Sequence, residues 1–338
     1  MTSLFTPLQE RLLDVLQSSL PFVRRPFLIL GKELGIPESD IIDMTAALKK
    51  DGVIRNIAGI FDGEKLGYNL SLVAFQLSNE NIEKAAAVIN SHPGVSHNYL
   101  REHKYNLWFT IAENSAENLK RSVDKLALSS GALSYLIMKN ERLIKIGFRL
   151  NMAASPPLQP VAALKQNERN VLTRRDENAI WLLQKDMPLC ERPFEELSAE
   201  TDFSEDELIE AAASLEEKGV MRRYSAVLRH QKAGYNFNAM TAWKFAEDSS
   251  DEVFKPFAES SSVTHLYIRT VYPGEWEYPL FAMIHAKSEN ELNEIIDNLS
   301  RQSGLDDKLV LRSLKEFKKQ KVIYFSPDFQ KWKEENYD

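Results

Sequence analysis

Cysteine is almost missing from this chain: there is one, Cys190, in 338 residues. A disulfide framework and a cysteine metal cluster are both excluded, and a reducing cytosol fits. Long apolar runs are missing too. None approaches the ~18 residues a membrane helix needs, and Met1 to Pro7 has neither a charged leader nor a long apolar core. The expectation is a cytoplasmic protein with no signal peptide and no membrane span. Nor is there an excess of cations. Lys and Arg number 42 against 49 Asp and Glu, a formal charge of −7. That balance disfavours nucleic acid as a bulk partner but leaves room for a local basic cavity. Apolar residues are plentiful at 43%, enough for sizeable cores in two or three domains.

The chain repeats itself. Pro188 to Phe194 matches Pro21 to Phe27 at an offset of 167, and Leu215 to Arg222 matches Leu48 to Arg55 at the same offset. Each half opens with three short helical patterns. In the first half these are Leu8 to Leu20, Phe27 to Leu34 and Glu38 to Lys50. A β-like stretch follows, Val53 to Phe61, leading through Asp62-Gly63 into a second β segment. Helices then a hairpin spell a winged helix-turn-helix. Next come a strand at Leu70 to Leu77, a helix at Asn81 to Ser91, two strands, a helix at Ser115 to Ser129 and a last strand at Arg142 to Leu150. The order βαββαβ implies a ferredoxin-like α+β sheet with helices on one face, the other needing a cover such as a partner sheet. The expected domains are winged helices at 1–62 and 171–230, βαββαβ domains at 63–151 and 231–330, and a Pro-rich linker at 152–170. The two halves are expected to pair within the chain about a pseudo-twofold axis, and a homo-oligomer is compatible.

Within each βαββαβ unit one strand carries His-x-Tyr-x-Arg: His97, Tyr99 and Arg101, then His265, Tyr267 and Arg269. Residues two apart on a strand share a face, so each trio presents an imidazole, a phenol and a guanidinium on one wall. One wet strand face would be unremarkable. Two copies, each followed by an aromatic-rich strand, point to a pocket. The link after the trio differs. Copy one has the tight Glu102-His103-Lys104. Copy two has five extra residues, and its Tyr272, Pro273 and Trp276 are expected to form a lid. His285 ends the second strand of copy two where copy one has Ala112.

The recognition-helix positions argue against DNA reading, which needs cations and amides. Glu38 to Lys50 holds Glu38, Asp40 and Asp43, with its lysines at the far end, and Ser204 to Glu217 contains six acids and no Lys or Arg. We expect no nucleic-acid partner.

The architecture resembles the Lrp/AsnC type. More narrowly, the chain resembles the siroheme decarboxylases, here as two related subunits fused. The resemblance is carried by Val95-Ser96-His97-Asn98-Tyr99-Leu100-Arg101-Glu102-His103-Lys104-Tyr105-Asn106-Leu107-Trp108 and by His265-Leu266-Tyr267-Ile268-Arg269 with Trp276-Glu277-Tyr278-Pro279-Leu280-Phe281. It implies removal of carbon dioxide from two acetate side chains of siroheme, giving didecarboxysiroheme for a haem or haem d pathway. It implies no metal or cofactor beyond the iron tetrapyrrole substrate. A polycarboxylate macrocycle needs cations and aromatic walls. The cation candidates are Arg101, Arg269, Arg55, Arg222, Arg223 and Lys104. Tyr105, Trp108, Tyr272, Trp276 and Tyr278 are wall candidates. Protonating the carbon that loses carbon dioxide needs an acid titrating near neutrality, for which His97, His265, His103 and His285 qualify. Each could instead be a structural histidine or an axial iron ligand. His92 and His230 are expected to be structural. Two other classes fit parts of the pattern: a tetrapyrrole-binding regulator without catalysis and an amino-acid-sensing transcription factor.

Overall fold

The computed structural model describes residues 5–146, 172–199, 201–228 and 237–337. The linker expected at 152–170 and His230 lie outside them. The first half runs α1 (Pro7–Gln17), α2 (Pro26–Leu34), α3 (Glu38–Lys50), β1 (Ile54–Phe61), β2 (Asn69–Gln76), α4 (Ile82–Asn90), β3 (Val95–Arg101), β4 (Leu107–Glu113), α5 (Ala116–Ser130) and β5 (Ser134–Ile146). The second runs α6 (Arg174–Leu183), α7 (Pro193–Ser198), α8 (Glu205–Glu217), β6 (Met221–Leu228), β7 (Phe237–Trp243), α9 (Lys255–Glu259), β8 (Val263–Arg269), β9 (Leu280–Ala286), α10 (Glu289–Ser303), β10 (Lys308–Lys319) and α11 (Pro327–Tyr337). No helix among the described residues is long and apolar enough to cross a membrane.

Local chemistry sets many of the ends. Thr6 and Gln9 form a capping box on α1, with Pro7 in the first turn, and Ser204 and Glu207 form another on α8. Helix α5 starts at the Ser115 cap and stops at Gly131, whose φ of 70° suits glycine.

Three expectations about elements are corrected. The first half has no wing hairpin. After β1 the chain turns at Asp62 and enters the large sheet as β2, and β1 pairs antiparallel with β6 of the other half, Gly59 opposite Tyr224. A strand needs only a partner with free ladder groups, and the repeat supplies one in trans. The last strand of the first half begins at Ser134, eight residues earlier than expected, because Ser134 to Lys139 ladders along β2. Helix α1 ends at Gln17, three residues early, where Ser18 closes it by bonding back to Val15.

The two sheets do more than stack. Their edge strands cross over: β5 pairs β8 and β10 pairs β3, closing the order β10-β3-β4-β2-β5-β8-β9-β7 into an eight-stranded barrel. Closure leaves no exposed edge. Helices α4 and α5 cover one outer wall over Val73, Phe75, Leu107 and Phe109, while α9 and α10 cover the other over Trp243, Leu266 and Leu280. The helix-turn-helix units and the β1–β6 ribbon share one further core, and Tyr324 and Phe329 from the C-terminal segment pack into it. Cross-half ion pairs tie those units together, Arg24 to Asp206 and Arg25 to Glu191.

The seams repeat the pseudo-twofold. Asn140 faces Arg269 and Ile146 faces His265 across one; Ser313 faces Arg101 and Lys319 faces His97 across the other. Following the antiparallel pairings round the ring puts both histidines at one end of the barrel and both arginines at the other. The axis therefore runs along the barrel.

Candidate functional site

Strands β3 and β8 stand opposite each other in the ring, so the two trios face across the barrel interior. Between them lies a cavity of about 430 Å³, within the range of ligand pockets. His97, Tyr99, Arg101, His265, Tyr267 and Arg269 all line it, as their shared strand face implies. Arg55, Trp108 and His285 line it too. Arg55 comes from β1, so the histidine end opens towards the helix-turn-helix layer.

The arginines sit deep and are built alike. Arg101 donates from Nη1 to the Leu311 carbonyl at 2.7 Å and to Ser313 Oγ at 3.0 Å. Arg269 donates from Nη1 to the Met138 carbonyl at 3.1 Å. Leu311 and Met138 are pseudo-twofold equivalents, each on the last strand of the opposite half. Each guanidinium also lies over its own tyrosine, at 5.2 Å for Tyr99 and 4.7 Å for Tyr267. Among the described residues no carboxylate pairs with either, and the buried Nε of each has no hydrogen-bond acceptor. Burial pulls both guanidiniums down to about 10. Two desolvated cations with an unused donor edge make a strong site for carboxylates.

The histidines sit at the mouth. The hydroxyl of the preceding residue fixes each ring: Ser96 Oγ lies 2.9 Å from His97 Nδ1, and Thr264 Oγ1 lies 2.9 Å from His265 Nδ1. Thr110 Oγ1 lies 3.4 Å from the same His97 nitrogen. Burial, with Lys319 and Arg55 adding like charge, pulls His97 down to about 4, so it is neutral at neutral pH. Tyr99 donates to Glu316 at 3.0 Å, and burial with that carboxylate nearby pushes its phenol up. Opposite Tyr267 the equivalent position is Leu143. Burial raises the Tyr267 phenol as well.

Eight expected site residues lie elsewhere. Tyr272 and Trp276 do not form a lid. The link that carries them leaves β8 at its arginine end and folds under the barrel, where Tyr272 bonds the Ile137 carbonyl at 2.7 Å. Trp276 is 2% exposed and packs edge-on against Trp108 at 5.2 Å and flat on Phe281 at 5.7 Å. It backs the cavity floor that Trp108 and Phe281 form. Tyr278 bonds Asp307. His103 packs on Trp276, and Lys104 and Tyr105 both bond Glu275, so this cluster closes the barrel from below instead of meeting the cavity. Arg222 and Arg223 are also off the lining; Arg222 is paired with buried Asp62 at 2.9 Å. His92 is buried, with Nε2 3.1 Å from Glu113 and Nδ1 accepting from the Gly94 amide.

Sequence reasoning missed Asn140, Lys319, Phe281 and the two hydroxyls. Ser96 and Thr264 were detectable, since a hydroxyl precedes the histidine in both copies. Asn140 and Lys319 were not, because only the strand crossover brings them in.

Comparison with known proteins agrees with this architecture. A model of the AsnC-like ligand binding domain matches residues 65–145 and 232–318, and one of the siroheme decarboxylase NirDL-like HTH domain matches 9–55 and 176–222. A siroheme decarboxylase of Hydrogenobacter thermophilus is 38% identical over 96% of both chains. The chain belongs to the siroheme decarboxylase family. A siroheme decarboxylase beta subunit of Oleidesulfovibrio alaskensis, 39% identical, aligns 97% of its own length with 45% of this chain, as expected if each half corresponds to one subunit. Among solved structures, the siroheme decarboxylase NirDL in co-complex with an iron-uroporphyrin III analogue superposes with a TM-score of 0.78, at 33% identity and 98% coverage of both chains.

Proposed function

We propose that this enzyme is a carboxy-lyase that decarboxylates two acetate side chains of siroheme, giving didecarboxysiroheme. The observation that carries the reading is the pair of buried, carboxylate-free guanidiniums, Arg101 and Arg269, in a barrel cavity with aromatic walls. The family supplies the substrate class. An iron tetrapyrrole with carboxylates on its rim satisfies both features at once, and no cofactor beyond that substrate is needed.

In the reaction the bond between the acetate methylene and its carboxyl carbon breaks. Carbon dioxide leaves, and the electron pair stays on the methylene, where the macrocycle can delocalise it. A proton then converts the methylene to methyl. Arg101 and Arg269 hold substrate carboxylates through the unused Nε edge and fix the acetate's orientation. Trp108, Phe281, Leu72 and Met240 exclude water from the macrocycle faces. Histidine delivers the proton. We assign proton delivery to His265: among the described residues the two free cations beside His97 have no counterpart on the second wall, where Arg222 is paired with Asp62 and Ile146 takes the register position that Lys319 holds on the first. His285 lies on the same side. His97 then serves to seat the substrate.

The test is anaerobic incubation of the purified protein with siroheme and a mass spectrum of the product. The expected product is lighter by two molecules of carbon dioxide, without added cofactor. An unchanged mass, with siroheme demonstrably bound, would favour a tetrapyrrole-binding regulator.

A further inference from the structure

The two walls of the cavity descend from one duplicated sequence, yet the described residues of their rims carry different charge. On the first-half wall, Arg55 and Lys319 both line the cavity beside His97. Arg55 donates from Nη2 to the Lys319 carbonyl at 3.1 Å, so the two are held side by side. Neither has an acidic partner among the described residues. Cations nearby do: Lys49 is paired with Asp186 and Arg222 with Asp62.

The pseudo-twofold explains why. Arg222 is the counterpart of Arg55, and its acid, Asp62, extends from the end of β1 across the ribbon. In sequence the position matching Asp62 in the second copy is Arg229, not an acid, and it lies outside the described residues. Lys319 has Ile146 as counterpart across the opposite seam. Ala112 on the first wall corresponds to His285 on the second, and both line the cavity. One rim is thus doubly cationic and the other carries two imidazoles. The depression of His97 has Lys319 and Arg55 among its causes, which places both charges within electrostatic reach of the ring.

We propose that Arg55 and Lys319 form a carboxylate subsite at the cavity mouth that fixes which way round the tetrapyrrole enters, leaving the edge opposite for His265 and His285. Without such a device a twofold-related cavity would accept a macrocycle in two orientations of similar energy. A carboxylate on the Arg55–Lys319 rim removes that degeneracy, because the second rim has no equivalent free cation pair among its described residues. The two residues are positioning residues: they hold a remote substituent and do not touch the reacting carbon. This inference rests on the tetrapyrrole reading given above.

Both side chains are exposed, so neutral replacements should leave folding intact. The experiment is absorbance titration of wild type, Arg55→Met/Lys319→Met and Lys319→Arg with siroheme, and in parallel with haem, which carries fewer carboxylates. Steady-state turnover of siroheme is measured alongside. The double variant should bind siroheme at least about tenfold more weakly and raise KM more than it lowers kcat, with a much smaller change for haem. Lys319→Arg, which keeps the charge, should stay near wild type. Unaltered siroheme affinity and KM in the double variant would overturn the subsite while leaving the decarboxylase reading intact. Equal loss of siroheme and haem binding would also overturn it, since that pattern reports general damage to the cavity. Failure of wild type to bind siroheme would remove the tetrapyrrole reading itself, and this inference with it.

Discussion

The deep arginines are the most constrained residues of the cavity. Each spends Nη1 on a carbonyl from the opposite half and leaves its buried Nε without an acceptor among the described residues. Lysine retains the charge but not the planar fork. Arg269→Lys and Arg101→Lys should each weaken siroheme binding or misplace the acetate, at a cost of about 1–3 kcal/mol read as kcat/KM. Unchanged kinetics in both would show that these groups only brace the barrel. His97 makes a pH prediction whose sign follows from its environment. Its folded value, about 4, lies below the ordinary 6.5, so folding favours the neutral ring. The contribution is fully present above about pH 6.5 and is lost as pH falls towards 4, on the order of 3 kcal/mol in total. Denaturant unfolding at pH 7 and pH 4.5 should therefore show a smaller acid loss in His97→Gln than in wild type. An identical loss in both would mean that His97 is not held neutral in the folded state.

Among the elements, the strand pair that carries the trio was legible because its side-chain period is two and the pattern occurs twice. The Tyr272–Trp276 link was misread as a lid. Its aromatic content was visible, but which end of the barrel it leaves from depends on strand direction, and the arginine end is the closed one. Trp276 is thus core: Trp276→Ala should cost about 3–5 kcal/mol of stability, checked by chemical denaturation. A lid would instead give near-native stability with weakened substrate binding. The helix-turn-helix units were legible from their caps and turns, the ribbon was not, since β1 has its partner 160 and more residues away in β6. Acidic residues of α3 and α8 are engaged inside this layer, Glu38 with Arg25 and Glu205 with Arg192. Duplex DNA should therefore show no salt-dependent gel shift with this protein. A shift with a defined operator would contradict that expectation.

At the level of the whole molecule, duplication and then crossover make one barrel from two sheets. The repeat announced the two halves and their face-to-face pairing. The exchange of β5 and β10 between sheets left no mark in the sequence, because an edge strand that pairs with its own sheet and one that pairs with the other look alike. That exchange sets Lys319 opposite His97 and Ile146 opposite His265 in the strand register, the asymmetry on which the proposed division of labour rests. The direct measurement is turnover of siroheme by His97→Ala and His265→Ala, assayed side by side after each is shown to be folded. The larger loss should fall on kcat of His265→Ala, exceeding that of His97→Ala by at least about tenfold, roughly 1.4 kcal/mol of barrier. Equal losses would contradict the division of labour and indicate two equivalent working walls, and full activity in both variants would remove the histidines from the chemistry.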